Sequence, residues 1–228
     1  MTFLLCSFSV SLEKRNNMSS ENKPSITPTQ NGPYLVKNIE NFVNQKGPVE
    51  TKETTALCRC GGSSNKPFCD GTHQKIGFSS AKIDGRTEDQ RDNYVGKNIT
   101  IHDNRGICAH AGYCTDGLAA VFHLREEPWI YPDSATRDEI ISTIKKCPSG
   151  ALSYTVDDAE HRDRKGEPSI FIAPNGPYVV SGRPDLNDTE FGEEASSEHF
   201  TLCRCGGSKN KPFCDGTHWS NGFMDDKN

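Results

Sequence analysis

The sequence predicts an α+β protein built from three small, loop-rich modules, and three observations predict it. A segment of about 48 residues occurs twice, opening each time on turn residues and an alternating strand. Between the copies lies an unrelated stretch with strand and helix patterns of its own. Leu, Ile, Val and Phe together make about 19% of the 228 residues, too few for one large core, while 20 Gly, 13 Pro and 10 Cys argue against a floppy polar chain. Small domains short of apolar surface need disulfides or metal as staples.

Residues 1–30 read as a disordered tail or a targeting segment. The apolar stretch 3–12 has no basic residue before it and no small-residue cleavage pattern, so it is a poor secretory signal. Frequent Ser with Lys14 and Arg15 offers a mitochondrial presequence as one reading, but a disordered tail, or a start at Met18, fits it better. The first repeat occupies residues 31–82, beginning Asn31-Gly32-Pro33-Tyr34-Leu35-Val36; the second occupies 168–228, with Asn175-Gly176-Pro177-Tyr178-Val179-Val180. Tyr-x-Val after turn residues predicts a strand, and Leu57 and Leu202 predict a second strand entering the cysteine cluster. The middle module spans 95–156. Its Ile99-Thr100-Ile101 alternates as a strand, and 134–146 predicts a helix with Ser134 as N-cap, Ile140, Ile141 and Ile144 on one face, and Cys147-Pro148 as the stop. The polar, mixed-charge stretches 83–94 and 157–169 read as linkers.

A net charge of −5 gives no electrostatic reason to bind nucleic acid, and no apolar run is long enough for a transmembrane helix. Nine cysteines fall in three sets of three (58/60/69, 108/114/147 and 203/205/214), with Cys6 alone. Odd sets cannot pair off internally, which favours metal ligation in a reducing compartment, the cytoplasm or the mitochondrial matrix.

Residues 58–73 and 203–218 differ only at Ser64 and Lys209. Each carries Cys-x-Cys-x8-Cys-x3-His: Cys58, Cys60, Cys69 and His73, then Cys203, Cys205, Cys214 and His218. Three thiolates and an imidazole complete a four-ligand set for a soft or borderline metal. Asp70 and Asp215 read as helix caps. Gly61-Gly62 permits a tight bend, Pro67 fixes the approach to Cys69, and loop N–H groups are expected to point at the sulfurs. Structural zinc sites space their cysteine pairs by two to four residues, so Cys-x-Cys is tight for zinc, which stays open as the alternative.

This string resembles the signature of the CDGSH iron–sulfur family, with Thr72 and Thr217 in place of the serine. The resemblance implies a [2Fe–2S] cluster in each repeat, Cys58 and Cys60 on the inner iron and Cys69 and His73 on the outer one, repeated by Cys203, Cys205, Cys214 and His218. It also implies that the two repeats form an internal pseudo-dimer within a monomer.

In the middle, Cys108-Ala109-His110-Ala111-Gly112-Tyr113-Cys114 and Cys147-Pro148 resemble a divergent single-cluster ferredoxin in which Ala111 replaces a ligand. Cys108, Cys114 and Cys147 then hold a [3Fe–4S] cluster, or a [4Fe–4S] cluster with His110 as the fourth-ligand candidate. His102, His123, His161 and His199 lack partner spacing and read as surface or loop residues, and Trp129 as core. No nucleophile triad, phosphate loop or dinucleotide fingerprint is present. The expectation is a non-enzymatic iron–sulfur protein for electron transfer or cluster storage and transfer, working with unidentified redox or cluster-acceptor proteins. Alternatives are a zinc-stabilised interaction module and an electron-transfer subunit of a redox enzyme.

Overall fold

The computed structural model describes residues 23–192, 194–225 and 228. The expectations for the N-terminal stretch, including Cys6 and Met18, lie largely outside these residues. The fold is α+β, with short helices between three small sheets.

Each repeat begins with a hairpin. In the first, β1 (Ser25–Pro28) pairs with β2 (Tyr34–Lys37), and in the second, β10 (Ser169–Ile172) pairs with β11 (Tyr178–Ser181). Asn31 and Asn175 take left-handed φ of 50° and 47° in the connecting turns, a conformation asparagine tolerates. Tyr34 and Val36 on β2, and Tyr178 and Val180 on β11, alternate inward and are buried. As expected, a strand then leads into each cysteine cluster: β5 (Thr54–Leu57) beside β2, and β13 (His199–Leu202) beside β11.

The strands between these exchange partners. β3 (Asn41–Asn44), hairpinned with β4 (Gly47–Pro48), leaves the first repeat and pairs in parallel with β10 of the second. Reciprocally, β12 (Asp185–Leu186) pairs in parallel with β1. The sheets are therefore ordered β12-β1-β2-β5 and β13-β11-β10-β3-β4. Between them lies one core holding Ile26, Phe42 and Leu57 from one repeat and Ile170, Phe200 and Leu202 from the other. The internal pseudo-dimer is thus built by strand exchange.

Two tyrosines lock it. The Tyr34 hydroxyl lies 2.9 Å from Cys203 O and 3.0 Å from Pro212 O, while that of Tyr178 lies 3.0 Å from both Cys58 O and Pro67 O. Each repeat thereby satisfies the cysteine loop of the other, and the two rings meet edge-to-face at 6.1 Å.

The third sheet, β6-β7-β8-β9, belongs to the middle module: β6 (Arg91–Val95), β7 (Thr100–Asn104), β8 (Leu152–Val156) and β9 (Ala159–His161). Two of its strands lie in stretches that read as linkers. β6 is largely exposed and β9 fully so, hence their polar composition. Asp157 and Asp158, both at positive φ, form the two-residue turn between β8 and β9. The long helix of this module is Arg137–Ile144. Its N-cap is Thr136, not Ser134, because Thr136 and Glu139 form a reciprocal capping box while Ser134 closes a preceding 3-10 turn. Ile140 and Ile144 are buried with Trp129, the core residue expected, which the Arg105 guanidinium covers at 3.6 Å.

Two histidines expected at the surface are buried. His102 sits between Asn93 and Thr155, hydrogen-bonded to both, and His199 is bonded to Ser196 and packed against Gly150. His161 is exposed and stacks on Tyr154, and His123 is partly exposed beside Glu126. Among the described residues no helix is long and apolar enough to cross a membrane.

Tyr178→Phe leaves the buried Cys58 carbonyl without its donor and is expected to lower stability by about 1–3 kcal/mol in thermal unfolding. Tyr34→Phe should do the same through Cys203. His199 is held down to about 4 by burial and then by the Arg164 charge. Below its unfolded value near 6.5 the unfolded chain binds a proton that the folded chain refuses, so stability falls as pH drops from 6.5 towards 4, by up to about 3 kcal/mol. His199→Gln should flatten that part of the stability profile relative to wild type.

Candidate metal centres

Both CDGSH-like motifs are built by the same loop. After β5 the Cys58 N–H donates to Pro67 O and the Cys69 N–H to Ala56 O, so the chain returns alongside its own strand. The Ser63 hydroxyl donates to Phe68 O, and Ser208 repeats this with Phe213 O. The pairs Cys203 N–Pro212 O and Cys214 N–Thr201 O reproduce the return in the second motif.

Asp70 and Asp215 stand one residue before the N-cap positions Gly71 and Gly216, so neither is itself an N-cap. They work as loop braces. Asp70 accepts from Thr72 N and, through its other oxygen, from Ser64 N, and Asp215 accepts from Thr217 N and Lys209 N. Short helices follow, Thr72–Lys75 and the 3-10 turn Thr217–Trp219, and they carry the histidines.

The predicted ligands come together as pairs. Cys58 Sγ lies 3.8 Å from Cys60 Sγ, and Cys69 Sγ lies 3.4 Å from His73 Nδ1. The second motif gives 3.9 Å for Cys203 and Cys205, and 3.5 Å for Cys214 and His218 Nδ1. A tetrahedral metal with bonds of about 2.3 Å to sulfur and about 2.0 Å to nitrogen has edges of about 3.8 Å and about 3.5 Å. Each pair therefore spans one tetrahedral edge. Among the described residues, however, no three His, Cys, Asp or Glu side chains are arranged to hold a single metal ion. Gly62 N and Gly207 N lie 3.4 Å from Cys60 Sγ and Cys205 Sγ, the loop N–H contacts expected.

In each Cys-x-Cys pair the two sulfurs lie within hydrogen-bond reach of each other. The thiol hydrogen bonds from Cys60 and Cys203 pull Cys58 and Cys205 down to about 6, while the same bonds push Cys60 and Cys203 up. Burial lowers His218 from its usual value, which favours the neutral imidazole that ligation requires.

The two motifs cross back to back. Cys60 and Cys205 form an antiparallel bridge, and a Cβ on Gly61 would sit 2.6 Å from Cys205 O, one on Gly206 2.4 Å from Cys60 O. Both glycines have φ of +77°, so two independent reasons exclude a side chain there.

The middle module docks against the second motif. Asn210 donates to Gly106 O, Trp219 Nε1 donates to His110 O, and the His110 ring packs against Gly216. Cys214 and His218 are buried, whereas Cys69 and His73 are half-exposed. Cys108 follows a 3-10 turn, Cys114 lies on the helix Tyr113–Gly117, and Cys147 follows Arg137–Ile144. Burial, then the Cys147 charge, raises Cys114 and pushes Cys108 up to about 12, so Cys147 lies within electrostatic reach of each of the other two thiols. His110 N lies 3.4 Å from Cys108 Sγ, while its ring is engaged at the Gly216 junction.

Sequence reasoning did not assign roles to Tyr34, Tyr178, Arg59 and Arg204 around these loops. The signal available was their recurrence at matched positions of the repeat.

Residues 31–74 and 175–219 match the family described as iron-binding zinc finger, CDGSH type, and residues 94–157 match the divergent 4Fe-4S mono-cluster family. Among curated proteins, the uncharacterized protein YjdI of Escherichia coli K12 is 41% identical over 61 residues, which are 27% of this chain and 80% of that protein. The YjdI of Escherichia coli O157:H7 gives the same figures. The chain carries two regions of the CDGSH iron-binding family. Its two CDGSH regions flank an iron–sulfur module of the 4Fe-4S type.

Asp215→Ala removes the acceptor for Lys209 N, Thr217 N and the Thr217 hydroxyl from a CDGSH loop. It is expected to speed release of metal from the second motif to a chelator, with the rate from the first motif unchanged.

Proposed function

We propose that each CDGSH motif holds a [2Fe–2S] cluster, with Cys58 and Cys60 on one iron and Cys69 and His73 on the other, and the same division among Cys203, Cys205, Cys214 and His218. The observation that carries this reading is the pairing: each motif offers two tetrahedral edges rather than one cage around a single ion. Zinc holding the fold together is the competing reading, and a common cage for four ligands would favour it.

Such clusters supply one-electron chemistry. The chain's own residues set the conditions for it. His73 and His218 are neutral donors in place of thiolate, which raises a cluster's potential relative to all-cysteine ligation. The middle module contributes Cys108, Cys114 and Cys147 to a [3Fe–4S] cluster, or to a [4Fe–4S] cluster if the His110 ring leaves Gly216. Trp219 Nε1 donates to His110 O and the His110 ring packs against Gly216, so the cysteine loop of the middle module abuts the second motif, which supports electron passage between them. The protein is thus read as a carrier of electrons among partner redox proteins rather than an enzyme, with cluster storage and transfer as the second use of the same sites.

Absorption spectra with iron, zinc and sulfide counts, and EPR of oxidised and reduced protein, test this. Visible colour with iron and sulfide in each motif is expected, and colourless protein containing zinc overturns the reading. Because imidazole ligates only when deprotonated, absorbance should be lost as pH falls. The paired variant His73→Cys and His218→Cys should keep its colour in acid and show lower potentials.

A further inference from the structure

The two halves of the pseudo-dimer differ around the arginine between the paired cysteines. Arg204 is buried and fully engaged: its Nε donates to Gly176 O at 2.8 Å, one terminal nitrogen donates to Ala173 O at 2.7 Å, and the other pairs with the buried Asp225 carboxylate. The guanidinium also lies over the Phe223 ring, which Lys66 from the opposite motif approaches.

At the matched place in the first half, Arg59 is equally buried, 4% exposed, and lies over Phe78, which Lys211 of the opposite motif approaches. Lys211 is itself 5% exposed, its ammonium donating to Ser208 O. The position of Asp225, however, is taken by Ser80. The correspondence is structural as well as sequential: Asn31 Oδ1 accepts from Ser80 N as Asn175 Oδ1 accepts from Asp225 N. Arg59 donates to Thr29 O and lies over the Tyr34 ring, and its buried Nε, whose counterpart in Arg204 donates to Gly176 O, has no hydrogen-bond partner. Above it opens a cleft of about 300 Å³ lined by Arg59, Ser80, Lys82 and Lys211 and also by exposed Asp188 and Glu190.

Among the described residues Arg59 forms no ion pair, which is costly for a buried cation, and the other half of the molecule shows one group that satisfies this arrangement: a carboxylate. We propose that the cleft over Arg59 is a binding site for a small carboxylate-bearing ligand, whose carboxylate takes the place that Asp225 occupies in the other half. Arg59 and Lys211 hold the carboxylate, and Ser80 and Lys82 flank it. Asp188 and Glu190 limit the site to a single negative charge and disfavour a dianion of the same size. The site requires only the folded CDGSH pair, whatever metal that pair holds.

Acetate and succinate, titrated calorimetrically into the full-length protein at constant ionic strength, provide the test. Acetate should bind with saturation, and succinate dianion more weakly. Ser80→Asp supplies the missing carboxylate from within; it should raise the thermal midpoint and weaken acetate binding by about tenfold or more, the effect of losing one charge-assisted hydrogen bond. Lys82→Gln, on the exposed rim, should weaken acetate less than Ser80→Asp does. No saturable acetate binding, or acetate binding that Ser80→Asp leaves unchanged, overturns the proposal. Those outcomes say nothing against the clusters, which the absorption spectrum reports separately.

Discussion

The back-to-back crossing of Cys60 and Cys205 is the contact on which the remaining structure depends. Two backbones approach there within the space of a missing Cβ, and only glycine on both sides permits it. Once the crossing is made, the tyrosine of each hairpin reaches the carbonyls of the other repeat's cysteine loop, and the third strand of each repeat falls beside the other's first strand. Neither repeat has a complete sheet or core by itself. The apolar poverty of the sequence is resolved in this way: two short modules pool their hydrophobic residues in one core, and the cysteine loops, which contribute little burial, are braced by hydrogen bonds.

The inserted middle module breaks the pseudo-symmetry. By packing Gly106 and His110 onto the second motif, it buries Cys214 and His218 and leaves Cys69 and His73 half-exposed. The two motifs thus carry the same ligands in different dielectric surroundings, and burial and local hydrogen bonding are among the factors that set a cluster's potential. The difference between Ser80 and Asp225 adds a second asymmetry on the opposite side of the same loops. A duplicated sequence has become two inequivalent sites.

Much of this was legible in the sequence because ligand chemistry tolerates little variation. Cys-x-Cys-x8-Cys-x3-His fixed which eight residues come together, and Tyr-x-Val marked the strands beneath them. The strand exchange was not legible. Two copies of one pattern pair with themselves or with each other equally well on paper, and the decision rests on the glycine crossing. β6 and β9 passed for linkers because exposed edge strands carry polar residues. His102 and His199 passed for surface residues because burial of a lone histidine depends on acceptors contributed from other strands or a neighbouring loop, Asn93, Thr155 and Ser196, which no local spacing reveals. Ser134 and Thr136 both offer a capping hydroxyl; the reciprocal bond from Glu139 selects Thr136.

The central claim is that one chain supplies both halves of a CDGSH pair and fills each half with a two-iron cluster. Native mass spectrometry of the intact protein tests it most directly. The account predicts a single chain whose mass excess equals two Fe2S2 units plus the cluster of the middle module. A smallest folded species containing two chains, or a mass excess made up of zinc ions alone, would contradict it.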